Sequence, residues 1–230
     1  VDWNIVYNGL TLAGAPFERR RSDALVFVGR VAPEKGIVEA MEIAKLSGRE
    51  LKIAAKVGTT EDERAYNDDV FEPARAAAGS LVEYLGEVSG AERDQLFATS
   101  YATLMPGSWP EPFGLVAIES LACGTPILAR RVGGLAEIIR DGVDGFFGDD
   151  VTQLAFQVPR IEELDRVAIR DSVIDRFSAT RMADGYEAIY RRLLEKGASP
   201  ESNGTGKPVG PAADAGQVVD MASRRSGSAS

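Results

Sequence analysis

Ala24-Leu25-Val26-Phe27-Val28-Gly29-Arg30-Val31-Ala32-Pro33-Glu34-Lys35-Gly36 opens with a compact apolar run and ends in a polar loop. Ala24 to Gly29 shows no alternation of apolar and polar residues. That is the pattern of a strand covered on both faces. The loop Arg30 to Gly36 follows. From about 36 to 47, Ile37, Ala40, Met41, Ile43 and Ala44 recur at spacings of three and four, and Gly48 closes the run. This is a helix on one face of a sheet. A buried strand, a short loop and a helix make the first unit of a repeating strand–helix chain.

The unit recurs downstream. Leu51 to Val57 is a second strand. Thr60 with Glu63 resembles a capping box and opens a helix to about Ala78, broken at Pro73. Leu81 to Leu85 is a third strand, and a helix from Ser89 or Gly90 runs through about Thr99. Tyr101 to Met105 is a fourth strand, the loop Pro106 to Phe113 follows, and a helix covers about 114 to 123. Pro126 to Ala129 is a fifth strand. Gly133-Gly134 opens a helix to about Arg140, turns fall at Asp141-Gly142 and Asp144-Gly145, and Gly145 to Phe147 is a sixth strand. Six strands alternating with helices predict an α/β fold, a doubly wound parallel sheet. In the common order 3-2-1-4-5-6 the switch point lies between strands one and four, and ligands bind outside the carboxyl ends of the strands there. The loops Arg30 to Gly36 and Pro106 to Phe113 are therefore predicted to face one crevice.

The flanks read differently. Trp3 to Tyr7 is predicted as a short additional strand ended by the Asn8-Gly9 turn signal. Residues 11 to 23 form a polar loop in which Arg19, Arg20 and Arg21 read as a solvated surface run. After the sixth strand the pattern turns helical, over 161 to 176 and then in a last helix capped by Ser178. From about Ala198 the composition shifts to Gly, Ser, Ala and Pro, which predicts a disordered tail. The expected organisation is one domain over 1–196 and a tail over 197–230.

Composition narrows the function classes. The 230 residues carry a net charge of −9, which argues against nucleic acid or an anionic membrane as the main partner. A small anion in a locally basic pocket is still allowed. No apolar run approaches the length of a membrane span. There is no histidine, so the commonest general base and metal ligand is missing, and no cluster suggests a metal. The single cysteine, Cys123, reads as a small core residue. Val1-Asp2-Trp3 is neither a signal peptide nor an initiator Met, so the chain is read as processed or as a piece of something longer.

Two carboxylates stand out in Glu111-Pro112-Phe113-Gly114-Leu115-Val116-Ala117-Ile118-Glu119, eight positions apart. The helix is apolar on nearly every side, hence buried, yet Glu119 sits in its middle. A buried carboxylate needs a partner. A core amide or basic side chain would serve, and so would a ligand at the helix N-terminus; both readings stay open on the helix alone. Arg30 and Lys35 are likewise either surface charges in a turn or a pair of phosphate-binding cations. The amides near Gly114, and those of Gly133-Gly134, could add to an anion site. The dinucleotide pattern G-x-G-x-x-G and the G-x4-G-K-[ST] loop are both absent.

The segments Gly29-Arg30-Val31-Ala32-Pro33-Glu34-Lys35-Gly36, Glu111 to Pro126 with its Glu-x7-Glu spacing, and Gly133-Gly134-Leu135-Ala136-Glu137-Ile138-Ile139 together resemble the family 4 glycosyltransferases. The match runs over about residues 1 to 196. The resemblance implies a Rossmann-like domain, the C-terminal donor-binding half of a GT-B fold, in a retaining enzyme. It implies that Arg30 and Lys35 hold the diphosphate of a sugar nucleotide and that Glu111 lies by the donor sugar. Glu119 would accept hydrogen bonds from the ribose, with the Phe113, Gly114 and Leu115 amides near sugar and phosphate and Val88 near the base. The donor would be UDP- or GDP-linked, with no cofactor and no metal. The acceptor, a sugar, lipid or small molecule, would be held by an N-terminal domain that this chain lacks. The resemblance further implies a cytoplasmic location, with peripheral membrane attachment of a full-length protein left open. A non-catalytic nucleotide-sugar-binding module, or half of another GT-B enzyme such as a nucleotide-sugar epimerase, are the alternatives.

Overall fold

The computed structural model describes residues 4–12 and 14–197. The chain divides into two units, residues 1–190 and 191–230, each taken by itself. Of the second unit only 191–197 are described, as the end of a helix. The tail expected from 198 onward lies outside the described residues, as does Trp3.

Six strands form one parallel sheet in the order β3-β2-β1-β4-β5-β6. They are β1 (Leu25–Val31), β2 (Leu51–Val57), β3 (Val82–Gly86), β4 (Thr103–Met105), β5 (Ile127–Ala129) and β6 (Gly145–Phe147). The order is the one expected from the alternation, and each strand lies within two residues of its expected start and end. The apolar runs are buried because helices cover both faces: Leu25, Phe27, Leu51 and Ile53 pack with Ile37, Met41 and Ile43 of helix α1 (Ile37–Ser47) on one side. The other face carries α4 (Gly90–Thr99) and α5 (Leu115–Ala122), with Phe97, Ala98 and Cys123 packed on Val26.

The helix expected from Thr60 to Ala78 is three pieces. Thr60 and Glu63 do form the capping box of α2 (Glu61–Tyr66). A π-helical turn, Asn67–Phe71, then leads into α3 (Glu72–Ala78), so the break precedes Pro73, which sits harmlessly in the first turn of α3. The helix after Gly133-Gly134 is shorter than expected: α6 is Leu135–Ile138. Ile139 turns extended because the Arg140 amide donates to Asp144 Oδ2 (3.0 Å) rather than continuing the helix. Three further helices follow: α7 (Val151–Gln157), α8 (Arg166–Phe177) and α9 (Ala179–Gly197). The first of them was not visible as a periodic pattern.

The expected strand at Trp3 to Tyr7 is not present in its described part. Residues 4–9 are irregular, and Asn8-Gly9 makes no turn. The segment is held instead by a single bridge, Leu10 to Ser178. The Leu10 amide donates to Phe177 O (2.9 Å), and Ala179 donates back to Leu10 O (2.9 Å). Side chains do the rest. Tyr7 lies against Phe113 and Phe177 with ring centres 6.1 and 5.9 Å away, and its hydroxyl donates to Glu137 Oε2 (2.7 Å). Arg21, read as part of a solvated run, packs over the Tyr101 ring at 4.4 Å, with Arg49 over the same ring at 3.6 Å.

α5 is anchored through its C-terminal half. Ser120 and Thr103 of β4, both fully buried, share a 2.7 Å hydrogen bond. Its C-terminal carbonyls are met by cations from α8, as the helix dipole favours. Arg170 donates to Ala122 O (2.6 Å), while Arg166 donates to Gly124 O (2.8 Å) just past α5 and to Ala98 O (2.8 Å) near the end of α4. The Cys123 thiol at this end is buried, and burial pushes its pKa up to about 12. It keeps its proton at neutral pH and behaves as a core atom rather than a nucleophile.

Candidate active site

The loops after β1 and β4 meet at the switch point, as expected, and they meet backbone to backbone. Gly36 has φ +74, and a Cβ there would stand 2.7 Å from the Gly107 nitrogen. A Cβ on Gly107 would stand 2.5 Å from Glu34 O. Only glycine on both sides permits this approach. A second close approach backs it. Cβ atoms on Gly133 and Gly134 would fall 2.3 Å from Glu111 O and 2.7 Å from Phe113 O, and the Gly134 amide donates to Glu111 O (2.7 Å). The loop after β5 is thus the backing of the loop after β4. The sequence suggested Gly133-Gly134 as an anion nest; the Gly134 amide is instead engaged by Glu111.

Above these contacts lies a cavity of about 350 Å³. Its floor is the middle of β1 (Phe27, Val28, Gly29) and the carboxyl end of β4 (Leu104, Met105). β1 pairs with β2 along its whole length, but with β4 it is in register only at Val26 opposite Thr103. The crevice opens where that pairing stops. The size suits part of a small ligand.

The structure brings some of the expected site residues together here. Lys35 and Glu111 both line the cavity, and Lys35 Nζ donates to Glu111 Oε1 in a close ion pair across the two loops. Phe113, Gly114, Leu115 and Val116 line it at the α5 N-terminus. Ala117 is the first amide of that helix bonded back within it, to Gly114 O (3.0 Å). The amides before it belong to the open first turn, where the helix dipole favours an anion.

Other expected residues stand off the cavity wall. Arg30 is half exposed and turned to Glu63 (2.8 Å) and Glu34 (3.0 Å). The expectation was that Arg30 and Lys35 flank one side of the crevice together; here Lys35 lines the cavity and Arg30 does not, its guanidinium being taken by two carboxylates. Glu119 falls three residues past Val116, on the same helix face and one turn below the rim. It pairs with Arg93 Nη2 of α4 (3.0 Å) rather than lying beside Arg30 and Lys35. Burial raises its carboxyl pKa, Arg93 lowers it, and neighbouring Asp94 raises it again. Val88, partly buried at the start of the β3–α4 loop, is also away from this cavity.

Three residues on the wall were not singled out from sequence. Glu34 and Asn8 add polar groups, and Trp109 adds an exposed ring. The Ser108-Trp109-Pro110 run beside Glu111 was the available signal. Among the described residues, no three His, Cys, Asp or Glu side chains gather as a metal site would require.

This architecture is that of one Rossmann-like half of a GT-B glycosyltransferase. AviGT4, a glycosyltransferase involved in avilamycin A biosynthesis, superposes with a TM-score of 0.68 at 28% identity, over 85% of this chain and 59% of that one. A glycosyltransferase from Rickettsia africae gives 0.69 at 17% identity, over 83% and 57%, a likeness of fold. The chain belongs to the family of glycosyl transferases group 1, whose model matches residues 16–167. Among curated relatives, D-inositol 3-phosphate glycosyltransferase of Mycobacterium tuberculosis is 32% identical over 194 residues, 79% of this chain and 39% of that protein. The chain therefore spans about two-fifths of the length of the curated relatives it matches.

Proposed function

We propose that this chain is the donor-binding half of a retaining glycosyltransferase and holds a UDP- or GDP-linked sugar. The observation that carries the reading is the convergence of Lys35, Glu111 and the α5 N-terminus on one cavity at the switch point. A diphosphate would be held by the Lys35 ammonium and the first-turn amides of α5. Arg30 would join by releasing Glu34 and Glu63. Exposed pairs of that kind contribute on the order of 1 kcal/mol or less, so the swing costs little. Glu119 would accept from the ribose hydroxyls and Glu111 would lie by the sugar.

The chemistry follows from charge. Breaking the bond between the sugar C1 and the diphosphate oxygen builds negative charge on the leaving group. Fixed cations and helix amides aimed there stabilise that transition state and do so without a metal. The acceptor hydroxyl forms the new bond at C1 on the same face, and its proton passes to the departing phosphate oxygen. The acceptor is held by a second domain. The chain alone binds the donor weakly and transfers no sugar.

Calorimetric titration of the chain with UDP, GDP and ADP sugars tests this. Lys35→Ala removes a charged hydrogen bond worth about 2 kcal/mol, so affinity should fall by roughly thirtyfold. Absence of binding to every nucleotide refutes the site, and sugar transfer by the isolated chain refutes the half-site assignment.

A further inference from the structure

Trp109 lines the same cavity and is 57% exposed. Exposure alone does not mark it, since Phe156 is 78% exposed; what sets Trp109 apart is that its open indole lies on the wall of the cavity beside an ion pair. The other aromatics at the cavity are accounted for. Phe27 is buried in the core, and Phe113 is held between Tyr7 and Phe177. Among the described residues, no ring or cation stacks on Trp109. The backbone that carries it is held on both sides. Proline follows it at 110 and again at 112, Gly107 is pinned against Glu34, and Glu111 is backed by Gly134.

The wall around it is mixed. Beside the open indole stand the Glu111 carboxylate, the Lys35 ammonium and the exposed Asn8 side chain. A hexopyranose ring has a matching duality. One face is a patch of C–H bonds, and the rim is a ring of hydroxyls. The indole suits the first, and the carboxylate and amide suit the second.

We infer that Trp109 is the stacking platform for the sugar ring of the donor, and so a residue that discriminates sugar nucleotide from free nucleoside diphosphate. The inference rests on the donor-binding reading above. The indole covers the apolar face of the hexose while Glu111 and Asn8 meet its hydroxyls, which sets which hexose epimers fit.

The test uses the full chain with UDP, GDP and ADP and with UDP-glucose, GDP-mannose and ADP-glucose, by calorimetry, on the unsubstituted protein, Trp109→Ala and Trp109→Phe. For the nucleotide that binds, Trp109→Ala should weaken its sugar-linked form by about tenfold. The plain diphosphate should stay within about twofold of the unsubstituted protein on the same scale. Trp109→Phe should restore most of the sugar-linked affinity. The protein has two tryptophans. In a Trp3→Phe background, fluorescence from Trp109 should therefore change more with the sugar nucleotide than with its diphosphate. Equal weakening of both ligands, or of neither, overturns the inference while leaving the diphosphate site standing. Binding of none of the six ligands by the unsubstituted chain refutes the donor site and this inference with it.

Discussion

Replacing Arg93 with Met removes the cation shared by Glu119 (3.0 Å) and the more exposed Asp94 (2.9 Å), and adding Glu119→Gln separates the two contributions. The pair is half-buried: the Glu119 side chain is 17% exposed and that of Arg93 29%, with 3.0 Å between Nη2 and Oε1. Exposed pairs contribute under about 1 kcal/mol, and breaking a fully buried one costs about 3–5 kcal/mol. Arg93→Met should therefore cost about 2 kcal/mol at pH 7, the middle of that range. With a urea slope of about 2–3 kcal/mol/M for a domain of this size, the midpoint falls by roughly 0.7–1 M. The pH dependence gives the sharper check. Burial already raises the Glu119 carboxyl above its usual value, Arg93 is what lowers it, and Asp94 remains to push it further up once Arg93 is gone. A folded-state pKa above the unfolded one means the folded protein holds that proton more tightly. The associated stability is then present below the unfolded pKa and is lost as pH rises through the folded pKa. The deficit of Arg93→Met relative to the parent should be largest at pH 7 and should shrink as pH falls toward the ordinary carboxyl range. Adding Glu119→Gln should recover most of it at pH 7. A deficit equal at pH 7 and at the acid end, or no recovery in the double variant, would show that Arg93 acts through packing alone.

Two further substitutions test the frame of the cavity. Gly107→Ala places a methyl 2.5 Å from Glu34 O, so the loops after β1 and β4 must part; thermal stability should drop by about 1–3 kcal/mol, the usual range for overpacking, and nucleotide affinity should drop more than it does for a surface control such as Glu50→Ala. Asp144 is fully buried and accepts from Arg140 (2.7 and 2.8 Å) and Arg176 (3.2 Å); Asp144→Ala should cost about 3 kcal/mol in urea unfolding, because two guanidinium groups lose their carboxylate.

The sheet was legible because each strand is a short, mostly apolar run set off by glycine, proline or a helix cap, even where Lys52, Lys56 or Glu83 interrupts it. Strand order came from the order common to such folds, not from any one residue, and the sheet has that order. The helix α7 was not legible because it is seven residues long, and Leu154 is its one fully buried side chain. Its start was written in Asp150, whose carboxylate accepts from the Gln153 amide (2.8 Å), a cap without a periodic stripe behind it. The Ile5 and Tyr7 alternation imitated a strand. Yet Ile5 is 79% exposed, and the segment docks through the Tyr7 ring instead of through a backbone ladder.

At the site, sequence could pair loops but not side chains. Lys35 and Glu111 come from the two loops that topology forces together, so their meeting was deducible. Arg93 was not deducible as the partner of Glu119. It lies on α4, next in sequence to Asp94, and only the packing of α4 beside α5 brings it within reach. Arg30 illustrates the converse: its partner Glu63 is the same residue that caps α2, so a local signal concealed a tertiary one.

The bond between Lys35 and Glu111 pairs the two charges that meet on the cavity wall. An arriving anion competes with a carboxylate already seated on the ammonium, and gains only the difference between the two partners. A singly charged carboxylate offers Lys35 little that Glu111 does not. On the donor-binding reading proposed above, a diphosphate would bring more charge and would also reach the α5 amides, which Glu111 does not occupy. The internal counterion would then set an admission threshold: small singly charged anions would gain little, and Glu111 would be free to face a hydroxyl only once a ligand strong enough to displace it had arrived.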